Sequence, residues 1–219
     1  MQAETDNAFA RLAGTAFTSD GAYACLTFDI CDQTRESVKL TYDAYAELVR
    51  GRTEFSPEDM EAISREGQYC AALLSALGSL SYGANTQMEL YRKLIKKHFP
   101  KEAALRAVKR LKSIGFIKED AIVREEVRSC LGKLWGPSRI RARLTARGFG
   151  KKAFAIGMSI IEETDFDGIC LECAKKRIKN RPQTYEERQK SVAALVRLGH
   201  SYDSSKRAID MLTNGEEFF

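Results

Sequence analysis

The rhythm of polar and apolar positions changes once along the chain. Between residues 21 and 30 the two alternate: Ala24, Leu26, Phe28 and Ile30 fall on one side, Cys25, Thr27 and Asp29 on the other. A period of two predicts a strand with one buried face. Val38 and Leu40 predict a second strand, pairing with the first across the polar stretch Asp32 to Ser37. A short helix is expected from Asp43, stopped by Gly51. Residues 1–55 therefore read as a small mixed α/β element.

From Ser56 onward the period is helical. Pro57, Pro100, Pro137 and Pro182 each lie between apolar-periodic segments, at or just before a helix start, where a missing N–H costs nothing. Thr86 with Glu89, and Thr184 with Glu187, have capping-box spacing. Ala104, Val108 and Leu111 form one apolar stripe; Val123, Val127 and Leu131, with Cys130 and Leu134, form another. Gly78, Gly115, Gly148 and Gly199 are expected to close helices. The reading is a mainly α chain of about nine helices behind the front element.

These helices repeat. Leu94 to Phe99, Leu144 to Phe149 and Leu195 to His200 each end a helix, turn and enter another, at spacings of 50 and then 51 residues. Val108, Met158 and Ile209 correspond, as do Leu111, Ile161 and Leu212. Three helices per period predict tandem modules at residues 56–115, 116–164 and 165–219, stacked into an elongated curved array.

Charge is divided unevenly along the 219 residues. Residues 1–90 carry 6 Lys/Arg against 14 Asp/Glu, or −8; residues 91–152 carry 19 against 5, or +14; the remainder balances at −1. A middle third this basic points to a polyanion or an acidic protein surface as partner. No run of about 18 uncharged apolar residues is present, so no membrane span is expected. With Glu4 and Asp6 near its start the chain shows no secretory signal, and a cytoplasmic, monomeric protein is the expectation.

Candidate catalytic chemistry is sparse. The acidic pairs Glu119-Asp120, Glu125-Glu126, Glu162-Glu163 and Glu186-Glu187 are neighbours, about 100° apart on a helix, and read as solvated charge. Phosphate-loop, dinucleotide and nucleophile-elbow patterns are missing. Cys170 and Cys173 share a helix face as packed small residues do, with no second pair and no nearby histidine to complete a zinc set. A non-enzyme without metal or cofactor is expected.

Binding chemistry is better represented. Ile140 and Leu144 face inward, while Arg139, Arg143 and Arg147 line another side of the same helix over about 12 Å. A row of like charges without interleaved acids is best explained by an anionic partner. Guanidinium suits carboxylate and phosphate equally, so the row does not choose between protein and DNA. Lys133 and Trp135 precede it, Trp135 reading as either a stacking residue or a core residue. Arg106, Lys109, Arg110 and Lys112 form a second basic face.

Four segments stand out as a set: Thr86 to Leu94, Leu111 to Asp120 around Gly115-Phe116, Lys133 to Ile140 around Gly136-Pro137, continued by Leu144 and Arg147-Gly148-Phe149, and Leu198-Gly199-His200-Ser201-Tyr202-Asp203. In their order and spacing, over roughly residues 60–212, the chain resembles the RecX family of RecA regulators. Two departures stand out: Lys118-Glu119-Asp120 where the family has paired aspartates, and His200 where an aromatic is usual. The resemblance implies a protein that lies in the groove of RecA–single-stranded DNA filaments. There it restrains filament extension, strand exchange and co-protease activity, or in some members assists the recombinase. The contact residues would be the basic ones named above, meeting RecA, single-stranded DNA or double-stranded DNA. A DNA-binding protein acting independently of RecA is the alternative.

Overall fold

The computed structural model describes residues 9–31, 34–178 and 180–214. The acidic start of the chain, positions 32–33 of the polar stretch between the first two expected strands, and the end of the third expected module from residue 215 lie outside the described residues. The chain divides into two compact units, residues 1–84 with 90–116, and residues 85–89 with 117–219.

The first unit begins with β1 (Ala10–Phe17), β2 (Tyr23–Ile30), β3 (Arg35–Thr41), α1 (Tyr42–Leu48) and β4 (Glu54–Phe55). The strands form one antiparallel sheet in the order β3-β2-β1-β4. Ala24, Leu26 and Phe28 are buried, as their alternation predicts, and Leu26 and Ala24 pair with Val38 and Leu40. The sequence pattern did not reveal β1 or β4. Phe55 of β4 closes the core edge-on against Phe28, with ring centroids 5.2 Å apart.

Next comes α2 (Pro57–Ser81), started by Pro57 at its first position and by a complete Ser56–Asp59 capping box. Met60 and Ile63 of its first half join the core of the sheet. Its second half packs against α4 (Lys101–Ser113), where Ala72, Ala76, Ala104 and Ala107 are all buried. One long helix thus joins the sheet to the first helical module inside a single unit. Gly78 does not end α2 as expected: the buried face carried by Leu73 and Ala76 holds the helix to Ser81, against a glycine penalty of about 1 kcal/mol. Between α2 and α4 runs α3 (Gln87–Lys96), whose first three residues belong to the second unit.

The second unit holds α5 (Glu119–Gly132), α6 (Pro137–Arg147), α7 (Lys151–Glu162), α8 (Phe166–Arg177), α9 (Tyr185–Arg197) and α10 (Tyr202–Asn214). Within each successive triplet the first helix packs on the third: α2 on α4, α5 on α7, α8 on α10. One core gathers Val123, Val127, Ile140, Leu144 and Ile161; another gathers Cys170, Cys173, Val192, Leu195 and Ile209. Cys170 and Cys173 are packed free thiols, and burial pushes the Cys170 thiol up to about 11. None of the described helices is long and apolar enough to cross a membrane.

Candidate partner-binding surface

Helix α6 starts at Gly136-Pro137 and ends at Gly148, which adopts the left-handed conformation. Ile140 and Leu144 are fully buried, so the helix orientation matches the sequence reading. The arginine row does not. Arg143 donates through Nε to Glu126 Oε1 at 2.6 Å, and Arg147 donates through Nη1 to the other oxygen of the same carboxylate. Arg147 also forks onto Glu89, Nε to Oε1 at 2.7 Å and Nη2 to Oε2 at 2.8 Å, and lies 5.3 Å over the Phe149 ring. Its side chain is 12% exposed, against 50% for Arg143. The expected row without interleaved acids is therefore corrected: the acids come from α5 and from the start of α3.

Glu126 corrects a second expectation. Its sequence position beside Glu125 predicts solvated charge, yet its side chain is 14% exposed. Burial pushes its carboxyl upward, but the hydrogen bonds and charges of Arg143 and Arg147 outweigh this and hold it below the ordinary value. Arg147 is correspondingly held more firmly protonated, first by its hydrogen bonds to Glu89.

The other end of α6 is different. Arg139 stacks 4.1 Å over the Trp135 ring, and the Lys133 ammonium lies 5.4 Å from its centroid. Trp135 is half-buried and packs against the α5–α7 core, so it serves as core residue and cation platform together. Lys133 and Arg139 are exposed and have no carboxylate partner among the described residues.

In the first unit α4 carries the second basic face. Arg106 pairs with Glu66 and stacks 4.1 Å over Tyr69. Lys109, Arg110 and Lys112 are exposed without a carboxylate partner among the described residues. Among the described residues no three His, Cys, Asp or Glu side chains are grouped to hold a metal.

Two hydrogen-bonded clips lie within the second unit. At the start of α3, Thr86 Oγ1 donates to the Arg147 carbonyl at 2.8 Å, while Gln87 donates from its backbone and side-chain nitrogens to Glu119, both at 2.9 Å. At the start of α6, Gly136 N–H donates to the Leu198 carbonyl at 2.9 Å and Ser138 N–H to the Gly199 carbonyl at 3.2 Å. The first clip seats Thr86 on the turn closing α6 and Gln87 on the start of α5, and the second seats the first turn of α6 on the turn closing α9. Gly199 has φ +94°, and a Cβ on Gly136 would stand 2.1 Å from the Gly199 carbonyl carbon, so both positions require glycine.

A profile of the first three-helix domain of RecX matches residues 72–111, from the second half of α2 into α4. Regulatory protein RecX of Stenotrophomonas maltophilia strain R551-3 is 30% identical over 138 residues, covering 61% of this chain and 82% of that protein. The chain belongs to the RecX family. RecX of Clostridium perfringens strain 13 is 25% identical over 185 residues, covering 80% of this chain and 87% of that protein. A crystal structure of regulatory protein RecX superposes with a TM-score of 0.70 over 94% of this chain and 99% of that one, at 20% identity. RecX from Lactobacillus salivarius does so with 0.55 over 66% and 96%, at 22% identity. At these identities the two structures support the fold.

Both departures from the RecX pattern find a structural use. Glu119 stands at the start of α5 and accepts from Gln87 and, at 3.3 Å, from the Gly150 backbone, so the acid at that position is an acceptor of the first clip. His200 is buried, and its Nε2 donates to the Leu134 carbonyl at 3.1 Å, joining the second clip. Its Nδ1 is buried without a hydrogen-bond partner among the described residues. Burial holds its pKa below the ordinary value, so the ring stays neutral.

Proposed function

We propose that this chain is a non-enzymatic regulator that binds RecA–single-stranded DNA filaments along their groove and inhibits filament extension, strand exchange and co-protease activity. The family supports a regulatory role. The observation that carries the contact is the Lys133–Trp135–Arg139 cluster, two cations with no carboxylate partner among the described residues, set on a half-buried aromatic ring. Arg143, half exposed, extends it. Arg147 holds the fold, because its charge is committed to Glu89 and Glu126. On α4, Lys109, Arg110 and Lys112 supply the second set of contacts, with Arg106 held by Glu66.

A second reading is favoured by Trp135. A ring flanked by cations is also a platform on which an unpaired base stacks, worth about 1–3 kcal/mol per base. This supports direct DNA binding independent of RecA. Co-sedimentation with RecA–single-stranded DNA filaments and with the same DNA alone separates the two. The RecA reading requires tight binding to filaments and weak binding to bare DNA at physiological salt. Equal binding to both, falling steeply as salt rises, supports the DNA-only reading.

A further inference from the structure

The first unit contains an open groove of about 1140 Å³ that neither the clips nor the Lys133–Trp135–Arg139 cluster uses. Its accessible apolar lining is Leu77 from α2 with Ile114 and Phe116 beyond α4, over the buried Leu73 and Leu111. Its rim is charged with both signs: α1 supplies Asp43 and Glu47, whereas α2 and α4 supply Arg65, Lys109 and Arg110. Arg106 and Glu66, also in the lining, neutralise one another, and Glu102 adds a carboxylate at the start of α4. None of Asp43, Glu47, Arg65, Lys109 and Arg110 makes an ion pair within the described residues. Tyr42 beside the acidic rim is 44% exposed and tilts against Phe17, itself 49% exposed, so apolar surface continues out of the groove.

A nucleic-acid backbone fits this lining poorly, because Asp43, Glu47 and Glu102 would face phosphates. A polypeptide helix with an apolar ridge and oppositely charged flanks meets every part of it. We infer that the groove is a docking site for an amphipathic helix of a partner protein. The leucine-type ridge of that helix seats on Leu77, Ile114 and Phe116, its basic flank faces Asp43 and Glu47, and its acidic flank faces Arg65, Lys109 and Arg110. This goes beyond the RecA proposal, which is carried by the Lys133–Trp135–Arg139 cluster; Lys109 and Arg110 are shared with its second set of contacts, whereas Asp43 and Glu47 belong to the groove alone, so each can fail without the other.

The test uses the full chain and three fluorescein-labelled helical peptides of about 18 residues. They share one leucine stripe and differ in their flanks: Lys on one side with Glu on the other, Glu on both, or Lys on both. By anisotropy the mixed-flank peptide should bind the wild-type chain about tenfold more tightly than either other peptide. The D43K/E47K variant should reverse the preference toward the all-Glu peptide, and R65E/R110E toward the all-Lys peptide, with circular dichroism unchanged. If one variant fails to fold, the other still decides. Lack of mixed-flank binding to the wild type, or a preference indifferent to both reversals, overturns the inference. So does displacement of the peptide by oligothymidine that R65E/R110E abolishes, which would make the groove a nucleic-acid site. Dimerisation of the chain through the same residues, seen by sedimentation, overturns it in favour of a second copy.

Discussion

Arg147 and Glu89, 58 positions apart in the sequence, meet in a two-pronged ion pair with both contacts below 3 Å. The pair is mostly shielded from water, and Glu126 completes it from the other side. Removing one partner of a fully buried pair costs about 3–5 kcal/mol, and here Glu126 and the Thr86 amide retain part of the compensation. Partial exposure here lowers the expectation to about 2–4 kcal/mol for Arg147→Ala or Glu89→Gln. Urea unfolding followed by circular dichroism measures it. A change within about 0.5 kcal/mol would show that the pair contributes only as a surface salt bridge does.

The Gly136–Gly199 approach leaves no room for a side chain. Gly136→Ala should separate the two turns and cost about 3 kcal/mol or more, in the range of severe steric substitutions. Hydrogen exchange at the Gly136 and Ser138 amides reads the clip directly: both should lose protection in the variant. Protection retained at both amides would mean that the backbone accommodates the methyl group elsewhere.

The alternation in β2 and β3, the helical period after Ser56 and the 50-residue recurrence were all readable because each is a local spacing. Strand β1 was not: Ala10 to Phe17 is built largely of small residues, and its register shifts between Leu12 and Gly14, which breaks the period of two. The same limit applied to the site. The row Arg139, Arg143, Arg147 was visible as a spacing of four, but Glu126 lies on another helix, 17 and 21 positions from its two arginines. Glu89 was visible only as a capping residue, a role it also fills by accepting from the Thr86 backbone at 2.9 Å. Which cations stay available to a partner is decided by such long-range pairing, and one-dimensional spacing does not encode it.

His200 gives the fold a pH dependence separate from that of its carboxylates. Its pKa in the folded chain lies below the ordinary 6.5, first because it is buried. The unfolded chain therefore binds the proton more readily. Stability is fully present above pH 6.5 and is lost as pH falls from there through the folded value, at no more than roughly 1.4 kcal/mol per pH unit. Glu126 is depressed below 4.5, so its contribution is lost only at lower pH, as pH falls through its folded value. Thermal unfolding of wild type and His200→Phe between pH 7.5 and 5 checks this. The variant should show a flatter profile in that window, and parallel profiles would remove His200 as the cause.

The six cysteines should separate into two classes. Cys25 and Cys31 are exposed, whereas Cys70, Cys130, Cys170 and Cys173 are buried, with the Cys70 and Cys170 thiols pushed up to about 11 by burial. The thiolate is the reactive form. Ellman's reagent on the native chain should titrate two thiols quickly and the other four only after denaturation. Fast reaction of a third would mean that one of the helical cores opens.

The decisive experiment is the inhibition of RecA's single-stranded-DNA-dependent ATP hydrolysis by the K133E/R139E variant, compared with wild type. Both substituted side chains are exposed and outside the Glu89–Arg147–Glu126 cluster, so the variant should unfold at the wild-type midpoint within a few degrees. Inhibition should then need at least about tenfold more protein, as expected when two cations facing a polyanionic or acidic partner are reversed. Wild-type inhibition by a fully folded K133E/R139E chain would remove the Trp135 cluster from the contact with RecA filaments.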